Sequence, residues 1–154
     1  MRIYTSVFEA VAVTAVQDLL SILAGTNTPV LLHEFGLYQT TDLGDAQEEV
    51  LRIRMRAGQT AAGSVGTAPA MIPRDVDDSA AAAVVRANDT TQAGTGTIVQ
   101  HGSWGWNIRV PFQQIWTPET RPFFKGGRRA TIELTAAPVD SITMSGYLVW
   151  SEGG

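Results

Sequence analysis

Three stretches of this chain switch between apolar and polar side chains at every residue. A period of two is what a β-strand with one buried face requires. In residues 49–56, Leu51, Ile53 and Met55 fall on one face and Arg52, Arg54 and Arg56 on the other. Residues 130–135 repeat the pattern as Ala-Thr-Ile-Glu-Leu-Thr. Residues 141–150 place Ile142, Met144, Leu148 and Trp150 on one face, with Thr143, Ser145 and Tyr147 opposite. Sheets with one wet face are typically antiparallel, so the chain is committed to antiparallel sheet in its second and final thirds.

The rest of the chain extends this plan. Residues 3–14 are rich in Val, Phe, Tyr and Thr and read as a strand. The period then changes. Thr14 and Gln17 have the spacing of a capping box, Val16, Leu19, Leu20 and Leu23 mark one helical face, and Gly25 stands where a C-terminal cap belongs. A short amphipathic helix over residues 15–24 is expected. Residues 26–29 make a turn, 30–39 a strand and 40–45 a polar loop. Residues 57–79 are Gly, Ala, Ser, Thr, Pro and Asp without periodicity, which predicts a long loop inside a single domain. Residues 80–88 lean to strand and 95–101 read as strand. Residues 102–107 form an aromatic turn with Trp104 and Trp106, residues 108–116 continue as strand and bend, and residues 117–127 are loop. Ala137-Pro138 makes a corner before the last strand. With no internal repeat, about eight short strands imply a mainly β single domain over 1–154: a sandwich, jelly roll or barrel.

Composition narrows the function. The chain has 154 residues, 44% hydrophobic and only 17% charged, with net charge −4 and no cysteine. The length supports one core. An acidic balance argues against nucleic acid as a partner. The lack of cysteine removes disulfides, thiolate catalysis and cysteine-based zinc sites, and favours assembly inside a cell. No run reaches the length of a membrane helix, and Glu9 and Asp18 interrupt the apolar runs near the N-terminus, so neither a membrane span nor a signal peptide is expected.

Catalytic patterns are thin. His33 lies in a strand between Leu32 and Glu34, and His101 ends a strand just before a turn that contains Ser103, a pair without an assigned acid. Asp42 with Asp45, and Asp75 with Asp77 and Asp78, sit in loops but lack the spacing of a calcium loop. No phosphate-binding glycine motif is present. Two separated histidines make a poor ligand supply for a cupin-type metal centre. The expectation is therefore no catalytic residue, no metal and no cofactor. The candidate contact residues are the basic row Arg52, Arg54 and Arg56, the aromatic pair Trp104 and Trp106, and the cluster of Lys125, Arg128 and Arg129. A row of like charges needs counter-charges, from a partner surface or from Glu48, Glu49 or Glu133. The tryptophans could fill a partner's pocket, stack on a sugar or close the end of a β core.

The order of elements through EAVAVTAVQDLL, TNTPVLLHEFGLYQTTDLGDAQEEVLRIRM and RRATIELTAAPVDSITMSGYLVWSEGG resembles a family of small tailed-phage proteins that decorate capsids or serve as auxiliary head proteins. The resemblance implies a jelly-roll-like antiparallel β-sandwich that binds the major capsid protein or another virion protein. It further implies a homo-oligomer, with a trimer among the forms expected, located in virions assembled in a bacterial cytoplasm. It carries over no catalytic residue. The alternative is a carbohydrate- or receptor-binding β-sandwich of fibre or lectin type, which needs Trp104 and Trp106 exposed and coplanar.

Overall fold

The computed structural model describes residues 1–40 and 48–153. The chain runs through β1 (Arg2–Val13), β2 (Gln17–Leu23), β3 (Val30–Gln39), β4 (Val50–Gln59), β5 (Met71–Pro73), β6 (Val84–Asp89), β7 (Val99–Asn107), β8 (Phe112–Ile115), β9 (Phe123–Phe124), β10 (Arg129–Leu134) and β11 (Ile142–Glu152). Every pairing is antiparallel, and the strands form two sheets. Sheet A has the order β5-β1-β11-β3-β8, with β9 beside β8 on the far edge of β3. Sheet B has the order β6-β2-β10-β4-β7. The first four strands alternate between the sheets, so each connection passes from one sheet to the other. In sheet A the longest pairing joins β1 to β11, running from Arg2 opposite Glu152 to Val13 opposite Ile142.

The alternating stretches became β4, β10 and β11, and their apolar faces meet between the sheets. Leu51, Ile53 and Met55 of β4, Ala130, Ile132 and Leu134 of β10, and Ile142, Met144, Leu148 and Trp150 of β11 all belong to one core. Trp150 stacks on Tyr4 at 5.7 Å between ring centroids. Phe35 is fully buried and gathers Trp104, Phe112 and Trp116 at 5.5, 5.6 and 5.7 Å. Offset and edge-on aromatic contacts of this kind add cohesion beyond the area they bury.

Four sequence expectations are corrected. First, there is no helix over residues 15–24, nor anywhere among the described residues; Gln17–Leu23 is a central strand between β10 and β6. Gln17 to Ile22 are all buried, because β2 is covered on both faces. A strand covered on both sides carries a near-continuous apolar run, and in a short run helical spacing arises by coincidence. The capping residues are used otherwise: Gln17 Nε2 donates to Asn88 Oδ1 at 2.9 Å, and Gly25 O accepts from Thr28 N in a turn.

Second, residues 57–79 are not one loop. Their first three residues finish β4, and Met71–Pro73 pairs with β1 as β5. Between these, the chain runs antiparallel to residues 87–95, with bridges Ala61–Gly94, Ser64–Thr91 and Thr67–Ala87. Thr60 N donates to Thr95 O at 3.2 Å. This two-stranded ribbon starts at the end of β4, reaches the β6 edge, and so crosses the outer face of sheet B. Its composition follows from close approach. A Cβ on Gly66 would come within 2.2 Å of Ala87 O, and one on Gly58, at φ +102°, within 2.0 Å of Thr97 O.

Third, residues 102–107 are not a turn but the second half of β7, paired with β4. The reversal comes later, where Val110 N donates to Asn107 O at 3.0 Å. Fourth, within residues 117–127, Phe123 and Phe124 pair with β3 as β9.

Candidate contact surface and a buried polar layer

The basic row of β4 does not stand free. Arg54, Arg56 and Glu133 all project from the outer face of sheet B, because Glu133 lies opposite Arg54 in the β10–β4 register. Glu133 is 0% exposed and receives Arg54 Nε on Oε2 at 2.7 Å and an Arg56 Nη on Oε1 at 2.7 Å. Thr131 Oγ1 donates to the same carboxylate at 2.8 Å, and Gln59 Nε2 donates to Thr131 Oγ1 at 2.8 Å. Glu133 is thus the counter-charge for two members of the row, while Arg52 is exposed at its end.

The polar layer continues across β2 to β6. Asp89 holds Arg86 through two bonds of 2.8 and 2.6 Å and accepts from Gly66 N of the ribbon at 2.9 Å. Asp18 accepts from Ala93 N at 2.7 Å and Gln92 Nε2 at 3.3 Å, both on the other ribbon strand. Arg129 donates to Ser21 Oγ at 3.2 Å, and burial lowers the pKa of its guanidinium. Burial also lifts the Asp18 carboxyl to about 6, against the downward pull of the Ala93 amide and with a further push from Glu133. The carboxylates of Asp18 and Asp89 are buried charges compensated by hydrogen bonds, and the ribbon covers them, while Arg86 keeps 26% of its side chain exposed.

Trp104 and Trp106 do point the same way, but toward the inside. Trp106 is 2% exposed and donates Nε1 to Val110 O at 2.8 Å. Trp104 packs edge-on against Phe35 and lies 6.2 Å from Phe112. The exposed coplanar pair that sugar stacking needs is not formed, and the two rings close one end of the core.

Lys125 and Arg128 have a different setting. Both are exposed, on the turn between β9 and β10 where Arg128 N donates to Lys125 O at 3.1 Å. Neither side chain has an ion pair or hydrogen bond among the described residues. They rim a cleft of about 370 Å³ between β7 and β9. Its floor is the buried pair Ala57 and Phe124, its walls include Val99 and Phe123, and His101 reaches over Phe124 at 6.2 Å. No carboxylate lines it. This apolar floor under a cationic rim was not legible in the sequence, because it unites residues 57, 99 and 123–128 from both sheets. Arg129, adjacent in sequence, points instead into the polar layer.

The histidine and acidic candidates separate likewise. His33 Nε2 lies 2.8 Å from Ser151 Oγ, but Ser151 is fully buried and not presented to a substrate. Burial and the nearby Arg121 charge lower the His33 pKa. Asp78 pairs with Arg2 at 3.2 Å, and Asp75 Oδ1 caps Asp77 N at 3.1 Å in an exposed turn. Asp42 and Asp45 lie outside the described residues. Among the described residues there is no group of three potential metal ligands. A second cleft of about 370 Å³ lies beside Met1, Tyr4, Ala82 and Glu152. The Glu152 carboxylate there is occupied by Ala82 N and Ala83 N at 2.9 and 2.8 Å. Comparison with family models, curated proteins and solved structures found no match in any of the three.

Proposed function

We propose that this chain is a structural protein of a phage particle, a jelly roll that decorates or cements a capsid by protein–protein contact. Support for the jelly roll lies in the strand order. Leaving aside β5 and β6, which end the two sheets on one side, and the two-residue β9, the other eight strands fall as first-eighth-third-sixth in sheet A and second-seventh-fourth-fifth in sheet B. This is the wrapping of a double Greek key, an architecture used by capsid and lectin domains.

The observation that carries the contact reading is the edge of the sandwich formed by β7, β8 and β9. Val99, Val110, Ile115 and Phe123 are each more than half exposed along it. Apolar side chains gathered on one edge of a weakly charged surface fit a protein partner. The carboxylates of Asp18, Asp89 and Glu133 are each held by hydrogen-bond partners within the polar layer. The partner class is the major capsid protein or another virion protein, reached from the resemblance in element order. The test is to purify particles produced by the source genome on a density gradient and identify their proteins by mass spectrometry. The chain is expected in the particle band at a fixed ratio to the capsid protein. Its absence from intact particles overturns the proposal.

A further inference from the structure

We infer that the cleft between β7 and β9 is a socket for the Asp75–Val76–Asp77 turn of a second copy of this chain. The two surfaces are complementary in kind. The socket offers an apolar floor, Ala57 and Phe124, under an uncompensated cationic rim, Lys125 and Arg128. The turn offers the reverse: Val76 is 87% exposed, the most exposed large apolar side chain in the described structure, and carboxylates flank it on both sides. The turn is preformed, since Asp75 accepts Asp77 N on its side chain at 3.1 Å and Asp78 N on its backbone at 3.0 Å. The bond between Asp78 and Arg2 ties it to β1. Little ordering entropy is then left to lose on docking.

The turn cannot reach the socket of its own chain. It follows β5 at one edge of sheet A, whereas β9 lies at the opposite edge, beyond β1, β11 and β3. Four strand spacings separate the edges by about 19 Å. The contact is therefore between copies and is heterologous, one chain's turn in the next chain's socket. Such contacts close into rings or continue as open chains. The inference does not depend on the virion reading, because it concerns this chain alone.

Sedimentation equilibrium of the purified full chain over a concentration series tests it. At low salt the average mass is expected to rise above the monomer and to fall back as salt screens the rim. A monomer at every concentration up to ~1 mM, the weakest affinity worth the name of a contact, overturns it. Two charge reversals locate the contact. Lys125→Glu with Arg128→Glu, and separately Asp77→Lys, are each expected to lose association when alone. When the two variants are mixed, each reversed turn faces a reversed socket and each native turn a native one, so association returns. Val76→Ser removes the apolar insert without changing charge and is expected to weaken association at least tenfold while circular dichroism is unchanged. Association that persists in all variants, or a mixture that stays monomeric although wild type associates, rejects the assignment.

Discussion

Glu133 holds two arginines while having no contact with solvent, and removing its charge isolates what the layer is worth. Glu133→Gln leaves Arg54 and Arg56 facing each other across a neutral amide. Breaking one side of a fully buried pair costs about 3–5 kcal/mol, and here both arginines keep roughly a quarter of their side chain in water. A loss of about 2–3 kcal/mol in urea unfolding is therefore expected. Asp18 behaves in the opposite sense. Its carboxyl titrates near 6 in the fold against an ordinary 3.8, so the native state holds a proton that the unfolded chain releases. Its contribution to stability is full below about 3.8 and is lost as pH rises through about 6. The whole effect is at most about 3 kcal/mol. Asp18→Asn keeps an acceptor for Ala93 N and removes the titration. The stability difference between variant and wild type should move in the variant's favour between about pH 4 and 6 and be level above 7. A difference independent of pH would reject the assignment.

Among the elements, the ribbon over sheet B is held by backbone bonds between its strands and by the Asp18 and Asp89 carboxylates beneath it, with small residues at the close approaches. Gly66→Val would drive a side chain into Ala87 O and the Asp89 carboxylate. The ribbon should lift while the sheet beneath survives. Hydrogen exchange should then speed up at Thr67, Ala87 and Ala93 while the β10 amides stay protected. The same feature explains which elements the sequence makes legible. Strands β4, β10 and β11 announce themselves because their inward faces are apolar while Arg54, Glu133 and Tyr147 interrupt them. Strand β2 does not, because Asp18 and Ser21 are buried under the ribbon, and Leu19, Leu20 and Leu23 then imitate a helical face. The ribbon itself has no side-chain period, since it offers mostly main-chain groups, to its own second strand and to the Asp18 and Asp89 carboxylates. Glu133 is recognisable as a counter-charge from its alternation on β10. The cleft is not, because it exists only once the two sheets have met.

For the molecule as a whole, the aromatic cluster around Phe35 joins β3, β7, β8 and the segment after β8. Phe35→Ala removes the ring on which Trp104, Phe112 and Trp116 converge, and a loss of about 3–5 kcal/mol is expected in equilibrium unfolding. Loosening of the edge should also redshift the tryptophan emission. A smaller loss with unchanged emission would mean that the edge is held by its backbone ladder alone.

The pairing of Arg2 with Glu152 brings the first and last strands side by side, pointing in opposite directions, within sheet A. A pull applied to the two ends therefore loads the β1–β11 ladder one rung at a time, from Arg2 inward, and never in parallel. Opposed pulls on the two strand ends are expected to unzip this ladder in an optical trap at lower force than pulls applied across the strands.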